Sequence, residues 1–179
     1  MDKKIIQNFI YNIIYQILVL LLPFITMPYI SRIFSPDQIG AYSITYSVVQ
    51  LFIIFGMFAI GSYGAREIAL YRDNKVKLSE KYNEIRFLQN VMIIISSTFY
   101  YLIYIHGNVG EMRYLYYLQG INLIACLFDI SWLYIGVENF KKTITRNLIV
   151  KLMSLILIFM LIKNNSDLNK YILIIGIST

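Results

Sequence analysis

Polar and apolar residues do not alternate along this chain. Apolar positions run in blocks of about twenty, the length an α-helix needs to cross the hydrocarbon core of a bilayer. No charge falls between Lys4 and Arg32, and residues 8–30 form the first expected span. Residues 39–63 are again free of charge, residues 87–105 form a third block, and residues 114–137 a fourth that only Asp129 interrupts. Residues 148–162 are short for a crossing, but Lys151 and Lys163 can snorkel and extend the helix to both interfaces. Residues 168–179 begin a sixth helix and supply about half a crossing. The pattern predicts an all-α, polytopic helix bundle over residues 1–179, with five full transmembrane helices and an incomplete sixth.

Charge orients those spans. Twelve of the sixteen Lys and Arg residues fall before span one, between spans two and three, or around the start of span five. Arg32, Arg113, Lys163 and Lys170 occupy the other side. Basic loops stay in the cytoplasm, so the N-terminus is expected there. The basic start and apolar run of residues 1–22 resemble a secretory signal, but the run is too long and no small-residue cleavage site follows it. An uncleaved first span fits better.

Composition narrows the classes. Apolar residues make up 58% of the chain and charged residues 15%, against roughly 45–50% and about 25% in globular domains. That balance excludes a disordered chain and a basic nucleic-acid module. With one Cys and one His, a disulfide framework and a zinc site lack their ligands. There is no Gly-rich phosphate loop, no Ser/His/Asp set and no pair of acids sharing one span. The chain is therefore read as a membrane protein, not an enzyme, with no cofactor and no metal.

Polar groups within the spans carry the remaining information, because in a bilayer they must face protein or water. Asn8, Asn12 and Gln16 share one face of helix one. Ser43, Ser47 and Gln50 do so on helix two, and Asn90, Ser97 and Tyr101 more sparsely on helix three. Gln119, Asn122, Cys126 and Asp129 form a stripe on helix four. Single amides of this kind can serve as interhelical glue; stripes on several helices point to a shared polar cavity. Asp129 is expected to act in gating or ion coupling, or else in a structural ion pair. Pro23 and Pro28 mark either a hinge or the end of helix one. Gly56, Gly61 and Gly64 suit close helix packing.

Three segments in register carry a resemblance. They are LPFITMPYISR at 22–32 with SPDQIGAYS at 35–43, YGAREIA at 63–69, and DISWLYIGVENFK at 129–141 with Arg146 after it. Together they resemble the N-terminal half of the bacterial polysaccharide-repeat (O-antigen type) flippases, which belong to the MATE-like multidrug/oligosaccharidyl-lipid/polysaccharide exporter superfamily. The resemblance runs from about Asn8 to the C-terminus. Ser35-Pro36-Asp37 stands where members often have Gly-Pro-Glu.

The resemblance implies one of two six-helix bundles around a central cavity, in the bacterial inner membrane. Its cargo would be a polyprenyl-pyrophosphate-linked oligosaccharide. Membrane lipid, and polysaccharide polymerase and glycosyltransferase machinery, would be its partners. For such a cargo Asn12, Gln16, Gln50, Gln119 and Asn122 are candidates to face the sugar. Arg32 and Arg66 are candidates for the pyrophosphate, since a guanidinium fork matches phosphate oxygens. Either arginine serves equally well as a helix-end anchor. Supplying one bundle of two, the chain is not expected to transport alone. The alternatives are a MATE-like exporter of small cationic compounds and a non-transporting membrane fragment.

Overall fold

The computed structural model describes residues 3–107, 110–138 and 140–178, and within these the side chains of residues 3–12, 14, 15, 18, 111 and 140–143 lie outside the described residues. All regular structure among them is helical. In chain order the helices are α1 (Lys3–Ile30), α2 (Pro36–Gly56), α3 (Ile60–Tyr71), α4 (Lys75–Tyr100), α5 (Arg113–Phe128), α6 (Ser131–Gly136), α7 (Phe140–Leu161) and α8 (Leu168–Ile177). A π-helical turn, Tyr101–His106, prolongs α4.

Local chemistry explains several boundaries. Ser35 and Gln38 form a reciprocal capping box with Pro36 in the first turn of α2. Asn74 caps α4 by accepting from the Lys77 amide at 3.2 Å. Helix α1 carries both Pro23 and Pro28 inside it and ends at Ile30. Neither proline therefore interrupts it, and the helix terminates two residues beyond Pro28. Thr26 Oγ1 donates to the Leu22 carbonyl at 3.1 Å and Ser31 Oγ to the Pro28 carbonyl at 3.2 Å. Both hydroxyls bond back to carbonyls of α1.

Among the described residues, four stretches are long and apolar enough to cross a membrane, Pro36–Tyr71, Lys75–His106, Arg113–Gly136 and Ile144–Leu161, and Val19–Ile30 is a shorter apolar helix. Two expected spans are discontinuous. The second breaks at residues 57–59, where Ala59 takes a left-handed conformation with φ of +57°, so α3 starts as a separate helix. The fourth breaks at Asp129 and Ile130, dividing α5 from α6. Large apolar side chains stand outward along the helices, among them Phe24, Phe58, Phe87 and Phe128. A surface of that kind belongs in lipid, and the chain is a membrane protein.

Helix α3 packs on α6, α2 on α4 and α5, α5 on α8, and α1 on α7. Glycine sets the closest approaches. A Cβ added to Gly64 would lie 2.8 Å from the Trp132 ring, and one added to Gly136 would lie 2.6 Å from Ile68 Cβ. Gly56 meets the backbone of Ile93. Of the three glycines near the end of the second span, Gly56 and Gly64 thus serve close packing; Gly61 faces open space. The connections group by end. Tyr29 Oη donates to the Ile162 carbonyl at 2.7 Å and Gln38 Nε2 to the Asn165 carbonyl at 3.0 Å. Arg72 pairs with Glu138 at 2.5 Å where the α3–α4 and α6–α7 connections meet.

Candidate substrate cavity

The break in the fourth span organises the candidate site. Asp129 leaves the helix in an extended conformation, with φ of −72° and ψ of 115°. Its Oδ1 accepts from the Ser131 amide at 2.9 Å and the Ser131 hydroxyl at 2.5 Å. Short polar side chains compete with the helix for backbone partners in this way. The same contact satisfies the first backbone amide of α6. Ser131 Oγ in turn accepts from Arg146 Nη2 of α7 at 3.2 Å, which joins the bend to the neighbouring helix.

A cavity of about 410 Å³ opens beside this junction between α5, α7 and α8. Asp129, Arg146, Asn147, Lys151 and Ser178 supply its polar lining, and Ile121 and Phe128 are among its apolar walls. Arg146 also donates to Asn147 Oδ1 through Nε and Nη2, at 3.2 and 3.1 Å. Lys151 is half-buried on α7, three residues into the apolar run at 148–162. It also lines a second, 170 Å³ cavity with Pro23 and Thr26 of α1. Among the described residues, two cationic side chains thus share the larger cavity with one carboxylate. That excess attracts an anion. Its volume falls within the small-molecule range of about 300–1,000 Å³.

The expected site residues fall in different places. Asp129 lines the 410 Å³ cavity. Gln119 and Asn122 are buried, with 1% and no exposure. The Asn122 amide donates to Gln119 Oε1 at 2.8 Å, and the Gln119 amide reaches Thr45 Oγ1 of α2 at 3.5 Å. Asn122 also packs where Gly176 lets α8 come close. These two amides join helices. Gln50 is half-buried beside Tyr46, and Gln16 is exposed. The side chain of Asn12 lies outside the described residues. Arg32 and Arg66 are exposed, Arg32 just past the end of α1 and Arg66 on α3, and neither lines this cavity. On helix two, Ser43 and Ser47 donate to their own helix, at the Ile39 and Ser43 carbonyls.

Sequence reasoning missed three residues here. Arg146 and Lys151 entered it as a loop charge and an interfacial anchor. Lys151 stands near the start of the 148–162 run, where an interfacial anchor and a cavity cation look alike in sequence. Gln89 was overlooked in favour of Asn90. Its signal is the buried stripe Ile85, Gln89, Ile93, Ser96 and Tyr100, whose spacing is that of one helix face.

The model of a protein family described as polysaccharide biosynthesis protein matches residues 5–179. No curated protein and no solved structure matches the chain.

Proposed function

We propose, for a chain that belongs to the polysaccharide biosynthesis protein family, a MATE-like flippase family, that it forms one bundle of a flippase. Its cargo is a polyprenyl-pyrophosphate-linked oligosaccharide repeat, carried from the cytoplasmic to the outer leaflet of the bacterial inner membrane. The N-terminus lies on the cytoplasmic side, following the loop charges. One observation supports this reading above the others: the 410 Å³ cavity in which, among the described residues, Arg146 and Lys151 outnumber the carboxylate of Asp129. A phosphate is the natural occupant, since an arginine fork and an ammonium together satisfy several of its oxygens. Exposed or half-exposed amides such as Gln16 and Gln50 suit the sugar. A small cationic compound would meet like charge in this cavity, which disfavours the drug-exporter alternative.

Inorganic pyrophosphate, titrated against the purified chain in detergent, tests the reading. Arg146→Gln and Lys151→Met should each weaken binding by on the order of tenfold, the effect of losing a hydrogen bond to a charged group. In a complete homologous transporter, either substitution at the matching position should reduce surface polysaccharide at normal protein abundance. Unchanged binding and unchanged polysaccharide in both variants would refute it.

A further inference from the structure

We infer that Gln89 is a positioning residue that locks the bend of the fourth span into a rigid elbow and so holds Asp129 and Arg146 in their cavity arrangement. A helix that stops inside a span frees carbonyl groups that water cannot satisfy there. The break at Asp129 and Ile130 lies within the Arg113–Gly136 span, with only the six residues of α6 beyond it, about 9 Å of helix. One side chain from α4 meets that demand. Gln89 Nε2 donates to the Cys126 carbonyl at 2.8 Å and to the Asp129 carbonyl at 2.9 Å. Its Oε1 accepts from Trp132 Nε1 at 3.0 Å. Both amide hydrogens and the amide oxygen are used, and Gln89 has no solvent exposure.

The three contacts straddle the break. Cys126 is in the last turn of α5, Asp129 is the bend itself, and Trp132 is in the first turn of α6. A flexing hinge would leave such groups with exchangeable partners. Here one buried amide fixes both arms relative to α4. Trp132 is further held by stacking on Tyr82, with ring centroids 5.7 Å apart, and by its fit against Gly64. The elbow sets the direction of the Asp129 carboxylate. That carboxylate holds Ser131, and Ser131 accepts from Arg146. Gln89 therefore acts on the cavity without lining it. Motion between α5–α6 and α7 then takes place at the Ser131–Arg146 contact, not within the bend.

The positioning role rests on the anion-binding reading of the cavity; the elbow does not. Cys126, the chain's single cysteine, is buried beside the clamp and reports its opening. In the unaltered chain in detergent, N-ethylmaleimide should react with Cys126 at least about tenfold more slowly than after denaturation, and equal rates would overturn the elbow. Gln89→Met keeps the volume and removes both donors. It should speed labelling by about tenfold or more and weaken inorganic pyrophosphate binding with Arg146 and Lys151 intact. Trp132→Phe leaves both carbonyl bonds in place and should stay within about threefold of the parent rate. Equal acceleration by the two substitutions would assign the effect to packing and overturn the clamp. Faster labelling with unchanged pyrophosphate affinity would overturn the positioning role. Absence of pyrophosphate binding in the parent chain would count against the proposed function, while the labelling rates still decide the elbow.

Discussion

Gly136→Ala tests how closely α3 and α6 are pressed together. The new methyl would sit 2.6 Å from Ile68 Cβ and 2.7 Å from both the Ala65 carbonyl oxygen and Ile68 Cγ2. Carbon atoms in contact prefer about 3.5–4.0 Å, so α3 must withdraw by about 1 Å. Two of these three neighbours are a Cβ and a backbone oxygen, which no rotamer change can move. Withdrawal also loosens the seam one turn earlier, where Gly64 meets Trp132. Overpacking of this kind costs about 1–3 kcal/mol, and alanine's better helix propensity returns up to about 1 kcal/mol. A net loss of about 1–2 kcal/mol corresponds to about a 5–30-fold shift toward the unfolded form. Gly61→Ala on α3 is the control, since nothing lies within 4 Å of its added Cβ. It should gain about 0.5–1 kcal/mol. The assay is equilibrium unfolding of the chain in micelles by added SDS, followed through Trp132. That residue is the only tryptophan and is 1% exposed within the same seam. Gly136→Ala proving at least as stable as Gly61→Ala would refute the argument.

Two further outcomes follow from other parts of the molecule. Asp167, in the connection between α7 and α8, is pulled from its ordinary 3.8 to about 2, first by its bond to the Lys170 ammonium and then by the Lys163 and Asn164 amides. A depressed carboxylate stabilises above its unfolded pKa and loses that contribution as pH falls. Hydrogen exchange of residues 163–170 should therefore be insensitive to pH above about 4 and accelerate between about 4 and about 2, after correction for the intrinsic rate. Asp167→Asn should abolish that acceleration, and its persistence would assign it elsewhere. Asp129→Asn keeps an acceptor for Ser131 but removes the cavity's one negative charge. In a complete homologous transporter it should reduce surface polysaccharide at unchanged protein abundance, and normal polysaccharide would remove the Asp129 charge from the mechanism.

Much of the architecture was legible along the chain. The long apolar runs at 39–63, 87–105, 114–137 and 148–162 correspond to the four stretches long enough to cross a membrane. The Ser35-Pro36 start of α2 follows from its own capping chemistry. The partial sixth run forms the ten-residue α8. The candidate site was less legible. Asp129 was found because a lone carboxylate in an apolar run is conspicuous. Gln119 and Asn122 formed an equally clear stripe, but a stripe does not say whether a cavity or another helix lies opposite. Thr45 and Gly176 lie opposite them.

The helical class and the apolar runs long enough to cross a membrane were legible in the sequence itself, because transfer free energies add residue by residue. Where a span breaks, and what the break creates, was decided only by tertiary structure. Asp129 and Ser131 can start a new helix turn by themselves. The Cys126 carbonyl also accepts from the Asp129 amide at 3.3 Å, but an Asp129 carbonyl left without its donor in a bilayer is costly, and Gln89, forty residues earlier on α4, donates to both. The cavity likewise exists only where α7 brings Arg146 and Lys151 beside that bend. Neither arrangement has a local signature, since each is made by groups from helices that the sequence does not place side by side.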